Sequence, residues 1–152
     1  MAIQEQIALC LEAVGRIDES LEVRRTIHDI ITEYEPKSNS WWRSAITLSE
    51  ALERDHRVVE NVNLMRDIKY PNADSGIEDE IIFNAMLCFV KSVYYHHFIG
   101  ADGYREDYES AFKMLGTLEK TVAPSFKDSH KSTEFSDEVR RVFAYARDNR
   151  LE

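Results

Sequence analysis

Residues 81–99, IIFNAMLCFVKSVYYHHFI, are apolar on nearly every side of a helix. A helix without a polar face has to be surrounded by other elements, so this segment is expected at the centre of the fold. A membrane span is the competing reading. Asn84, Lys91, His96 and His97 interrupt the stretch and no second span follows, so burial inside protein explains it better. In front of it Ser75 and Glu78 form a Ser-x-x-Glu pattern that can cap a helix start. Behind it Gly100 suits a left-handed stop.

The remaining chain is patterned for helices that pack around this centre. Ile3, Ile7, Cys10, Val14, Ile17 and Leu21 recur at alternating spacings of four and three, and the same seam continues through Arg24, His28 and Ile31 to Pro36. A second helix is expected from a cap at Ser38 or Ser40, through Trp41, Ala45, Leu48, Leu52, His56, Val59 and Val62, ending in residues 70–74. Tyr104, Tyr108, Ala111, Leu115, Leu118 and Val122 supply a further seam, and Phe135, Val139, Val142, Phe143 and Ala146 a shorter one. No alternating strand pattern or hairpin turn competes, and no internal repeat is evident. The fold class expected is therefore all-α, an antiparallel helical bundle of four to five helices with short loops. Residues 1–150 read as one domain, and Leu151-Glu152 as a cloning scar that is set aside.

Charge and cysteine content narrow the function classes. The chain has 152 residues and a net charge of −9, with the acidic excess in its first two-thirds. Binding phosphates needs clustered Lys and Arg, so nucleic acid is a disfavoured partner. Cys10 and Cys88 belong to no metal or redox spacing and read as reduced, apolar-environment residues of an intracellular protein. MAIQEQIALC lacks the basic and apolar regions of a signal peptide, and a cytoplasmic location is the expectation.

Polar residues on the apolar seams are where chemistry would sit. His28 and His56 fall on core-facing positions, and a bundle could bring them towards His96 or His97 at the end of the central helix. Glu53 and His56 even form one Glu-x-x-His step. A dinuclear carboxylate site needs that step twice with two more inward Glu residues, so no metal ligand set is assigned and no cofactor is expected. Arg24, one turn from His28, must find a carboxylate or an exposed end of the seam, because an unanswered buried charge is costly. Arg24, His28, His56, His96 and His97 are thus the polar core candidates. Trp41 and Trp42 are the interface candidates: adjacent rings on a helix point about 100° apart, so one of them is free to face outward. A glycine-rich phosphate loop, a Gly-x-Ser-x-Gly elbow and His-Glu-x-x-His are all missing, which removes the usual support for nucleotide and hydrolase chemistry.

Residues 81–150 resemble HEPN-like helical domains of bacterial abortive-infection and toxin systems. The resemblance rests on the apolar helix with Phe83, Phe89 and Phe98, the turn into Tyr104-Arg105, and a later helix ending Arg147-Asp148-Asn149-Arg150. It implies a dimerising bundle that, in active members, cleaves RNA with an Arg and a His separated by four to six residues. This chain departs there: none of its five histidines follows an arginine at that spacing, and Arg147 has no histidine after it. The leading expectation is therefore a small acidic protein that acts by protein–protein interaction or self-association and is not an enzyme. An RNA-cleaving or RNA-sensing domain is the alternative, and a bundle-core metal-binding protein the second.

Overall fold

The structure, a computed structural model, describes residues 2–72 and 74–97, and on a further helical stretch 109–111, 113–114 and 116–117. Five helices follow one another: α1 (Ala2–Ala13), α2 (Ile17–Tyr34), α3 (Asn39–Arg54), α4 (Val58–Ile68) and α5 (Asp79–His97). They form an all-α helical bundle, and the described residues contain no strand. Short turns fold consecutive helices back on each other, as Thr32 against Trp41 and His28 against Ser44 show for α2 and α3. The seams expected from residue 98 onward, Gly100 included, lie outside the described residues except for parts of the stretch around Ala111.

α5 sits at the centre, as its composition demands. Ile81, Ile82, Phe83, Ala85, Met86, Leu87, Cys88, Phe89 and Val90 are all buried. Around them pack Ile27 and Ile31 of α2, Trp41, Trp42 and Ile46 of α3, and Met65 of α4. Tyr70, just beyond α4, meets the Phe89 ring edge-on at 5.5 Å. A smaller core joins Leu21 to Leu48, Ala51 and Leu52. Fully burying side chains of this size contributes roughly 1.5–3 kcal/mol each, which is why the centre of α5 dominates the stability of the fold.

Two of the expected helices are broken. The seam from Ile3 to Ile31 is not one helix: it stops at Val14, and Gly15 turns with φ +82°. The Arg16 amide donates to the Leu11 carbonyl and the Gly15 amide to that of Glu12, the paired bonds of a Schellman stop. The helix expected through His56 breaks in the same way. His56 takes φ +57°, its amide donates to the Glu53 carbonyl, and the Arg57 amide donates to that of Leu52. Arg16 and Arg57 then open the next helices with nearly identical backbone angles, φ −87°, ψ 64° and φ −86°, ψ 64°.

Beneath the two breaks the local sequences correspond, LEAVGRIDES at residues 11–20 and LERDHRVVEN at 52–61. Their buried contacts correspond as well. Ser20 donates to the Ala8 carbonyl across the first hairpin, and across the second the matching pair is bonded in the opposite direction, Ser49 donating to Asn61. One helical hairpin is thus used twice, a repeat that composition and periodicity alone did not register. The match is hidden because glycine occupies the left-handed position once and histidine the second time.

The helix starts follow local chemistry. Ser38, one of the two expected caps, accepts a hydrogen bond from the Trp41 amide at 3.1 Å and opens α3. The Ser75–Glu78 pattern does not cap α5. Ser75 donates to the Asn72 carbonyl, whereas Glu78 is drawn to α3, its carboxylate bound by Arg43 at 2.8 Å and its amide donating to Asn39. α5 accordingly starts at Asp79, and its first turns hang from the Glu78 carbonyl.

Candidate functional site

The polar core candidates do not converge. His28 is buried, and its Nδ1 lies 2.7 Å from the Ser44 hydroxyl. The Ser44 hydroxyl donates its own hydrogen to the Trp41 carbonyl, so Nδ1 of His28 must carry the proton and donate to Ser44. On the other side the Trp41 indole donates to Thr32, which donates to the His28 carbonyl. The four residues close a ring of hydrogen bonds between α2 and α3. The His28 and Trp41 rings lie 5.0 Å apart. Burial pushes the His28 pKa down, with Asp29 opposing and Lys37 reinforcing the shift, so the imidazole is a neutral structural donor.

His56 is the clearest correction. It is an exposed residue on the turn between α3 and α4, because the helix whose seam it was expected to occupy has already ended. His96 and His97 lie on the last turn of α5, and their side chains lie outside the described residues. No group of three or more His, Cys, Asp or Glu side chains suited to a metal ion occurs among the described residues.

Arg24 is buried and points a different way from His28. Its Nη2 reaches Glu12 of α1 at 3.4 Å, and its Nε has no partner. Arg54 of α3 holds the same carboxylate with two bonds, at 2.9 and 3.2 Å. Chiefly through Arg54, Glu12 is kept below the usual carboxylate range. Glu50 of α3 is exposed. Partial desolvation of its carboxylate raises its pKa, although Arg54 and Lys91 pull the other way. Beside Glu12 a pocket of about 80 Å³ is lined by Ser20, Leu21, Ala51, Arg54 and Asp55 among others. That volume admits a few water molecules and no cofactor.

Trp41 and Trp42 are also corrected: both are buried, at 4% and 3% exposure. Their rings meet edge-on at 4.8 Å, and Lys37 lies 4.0 Å over the Trp41 ring, closing the outer side. A double Trp at a helix start buries both rings here because Thr32 and His28 of α2 take up Trp41 while Trp42 joins the core cluster that holds the apolar residues of α5. No aromatic docking surface is left at this position.

The open apolar surface lies elsewhere, on α1. Among its described side chains only Ala8 is fully buried, whereas Ile3, Ile7, Leu9 and Val14 beside its end are 74%, 47%, 49% and 69% exposed, and Cys10 is exposed too. Ile3, Ile7, Cys10 and Val14 fall within about 60° of each other around the helix, and Glu12 on roughly the opposite side. Since Glu12 faces α2 and α3, this strip faces away from the bundle. α1 packs against α2 alone among the described helices, which leaves the strip uncovered. On α2 itself Ile30 and Tyr34 are exposed at 44% and 75%.

The chain matches no family model, no curated protein and no solved structure.

Sequence reasoning placed Ile3, Ile7, Cys10 and Val14 correctly on one face and wrongly in the core. The missed signal is Gly15. Read as a helix stop, it detaches these residues from the seam of Ile17 and Leu21 and leaves a short terminal helix with more apolar surface than one neighbour covers.

Proposed function

We propose that the protein is a non-enzymatic interaction module that binds another protein through the exposed face of α1. One observation carries this reading: a helix with eight apolar residues out of twelve, AIQEQIALCLEA, is covered on one side only. Exposed apolar strips of this kind are costly to leave in water and are the usual raw material of interfaces. The polar groups support a structural role in turn, since His28 is consumed by its ring of hydrogen bonds and Glu12 by two arginines. No described helix is long and apolar enough to cross a membrane, so the strip is not explained by a span.

The double substitution Ile7→Asp and Val14→Asp tests the proposal. Both side chains are largely exposed, so helicity by circular dichroism should stay unchanged while a partner captured from the source cell is lost. The same partners on both proteins would overturn it. The RNA-cleaving alternative has no observation among the described residues in its favour.

A further inference from the structure

Resting on the proposed interaction face, we infer that the occupant of the α1 strip is the second helix of a helical hairpin in a partner protein, stacked on α1 as α2 stacks on α3. The two hairpins of this chain carry the inference. Their stops at Gly15 and His56 lie 41 residues apart, and at that spacing buried residues pair: Ala8 with Ser49, Ser20 with Asn61 and Leu21 with Val62. At the same spacing Ile3, Ile7 and Cys10 fall on Ser44, Leu48 and Ala51 of α3. Those three are 7%, 5% and 6% exposed, and α2 is what covers them: Ser44 meets His28, while Leu48 and Ala51 share a core with Ile17 and Leu21. The strip thus occupies the place that, in the second hairpin, takes the second helix of the first.

The charged rim of this face repeats as well. In the second hairpin Arg57 reaches across to Asp18 of α2, and Glu60 reaches across to Arg25. Their counterparts 41 residues earlier are again an arginine and a glutamate, Arg16 and Glu19. These two bond each other and stay more than half exposed. A helix seated on α1 in the arrangement of α2 on α3 would bury the strip and answer the pair with an acid and, seven residues on, a base, as Asp18 and Arg25 do. Among the described residues the second helices of a further copy are engaged already, α2 with α1 and α3, and α4 with α3 and α5, so the occupant comes from a different protein. One position departs. The counterpart of Val14 is Asp55, so this arrangement requires no apolar side chain there.

The chain's own α2 supplies the probe. An isolated helix of its length is marginal in water, so a fluorescent peptide of residues 16–35 is held helical by a staple between positions 22 and 26, both exposed in the fold. Anisotropy with the full chain should show saturable binding that a scrambled peptide lacks. Ile7→Asp with Cys10→Asp should weaken it at least about tenfold, whereas Val14→Asp should change it less than about twofold, because Asp55 holds that place in the second hairpin. Arg16→Glu should weaken it several-fold, and a peptide carrying Asp18→Arg should recover the loss.

The inference is overturned by equal binding of the scrambled peptide, by a Val14→Asp loss as large as that of the Ile7 and Cys10 pair, or by an Arg16→Glu loss that the reversed peptide does not recover. No peptide binding, with a captured partner still lost in the Ile7 and Cys10 pair, overturns the stacked hairpin and keeps α1 as the interaction face. A dimer in sedimentation that this pair dissolves replaces the partner by a second copy. If neither peptide, partner nor dimer depends on the pair, both readings fall.

Discussion

α1 and α5 are built from nearly the same material and meet opposite fates. Both carry aliphatic residues around most of their circumference, and both lack the broad polar face of an ordinary surface helix. α5 packs against α3 and α4 and shares one core cluster with Ile27 and Ile31 of α2 and with Ala111, and Phe83, Ala85, Met86, Phe89 and Val90 have no accessible surface. α1 has α2 alone. Composition thus states how much burial a helix needs, while topology decides whether its own chain supplies it.

The difference should appear first in truncations. Phe89→Ala removes a fully buried ring at the centre of the core and should cost about 3–5 kcal/mol in urea unfolding. Ile7→Ala on α1 should change the same measurement by less than about 0.5 kcal/mol. Comparable losses at the two sites would show that α1 is covered in solution and would end the contrast.

The one place where α1 should behave like core is Glu12. Glu12→Ala leaves buried Arg24 without its carboxylate and should cost about 3 kcal/mol, as broken buried pairs do. Arg24→Met removes the charge together with its unpartnered Nε, and Arg54 still holds Glu12, so it should be close to neutral. Thermal unfolding of the two variants ranks them, and an Arg24→Met loss as large as that of Glu12→Ala would contradict the asymmetry.

A smaller effect comes from pH. The His28 pKa in the folded protein is depressed below 6.5, so the unfolded chain binds the proton more tightly. Its contribution to stability is complete above 6.5 and is lost as pH falls through and below that value. Replacing His28 with Asn, which retains a donor for Ser44, should flatten the fall in the urea midpoint between pH 7 and about 5. An unchanged slope would show that His28 does not carry it. Glu12, depressed from 4.5, acts in a lower window and does not blur the test.

The smallest expected effects probe the two breaks. Gly15→Ala meets no atom within 4 Å of the added methyl, so its cost is confined to the left-handed backbone, about 1 kcal/mol. His56→Gly relieves the corresponding strain and should gain up to about 1 kcal/mol. Opposite signs at matching positions would confirm that the two hairpins share one stop.

The elements most readable in the sequence were those with a single dominant cause. Burial of residues 81–90 followed from the lack of any polar face, and the Ser38 cap from one hydroxyl before an apolar run. The breaks at Gly15 and His56 were hidden by periodicity, because a four-three seam continues in register across a turn that reverses the chain. His56 gave only a weak local warning, as left-handed backbone is uncommon outside glycine, although histidine adopts it more often than most other residues. Arg24 and His28 were correctly found buried on one stripe, but α1 answers the first and α3 the second. Which helix faces each was not written in their spacing. Trp41 and Trp42 were misplaced for a related reason: the angle between adjacent side chains says that they diverge, not that one of the two directions is solvent.

The clamp on Glu12 also bears on motion. Among the described residues, apart from its packing on α2, which includes the Ser20 bond to Ala8, α1 is tied to the bundle by that one carboxylate. Such an element opens as a unit of its own, at a free energy below that of global unfolding. Amide hydrogens of residues 5–13 should therefore exchange with solvent sooner than those of α5, and at a rate that rises with salt as the Arg54 pair is screened. Covering the strip would close this opening, so that protection of the N-terminal helix becomes a direct record of occupancy.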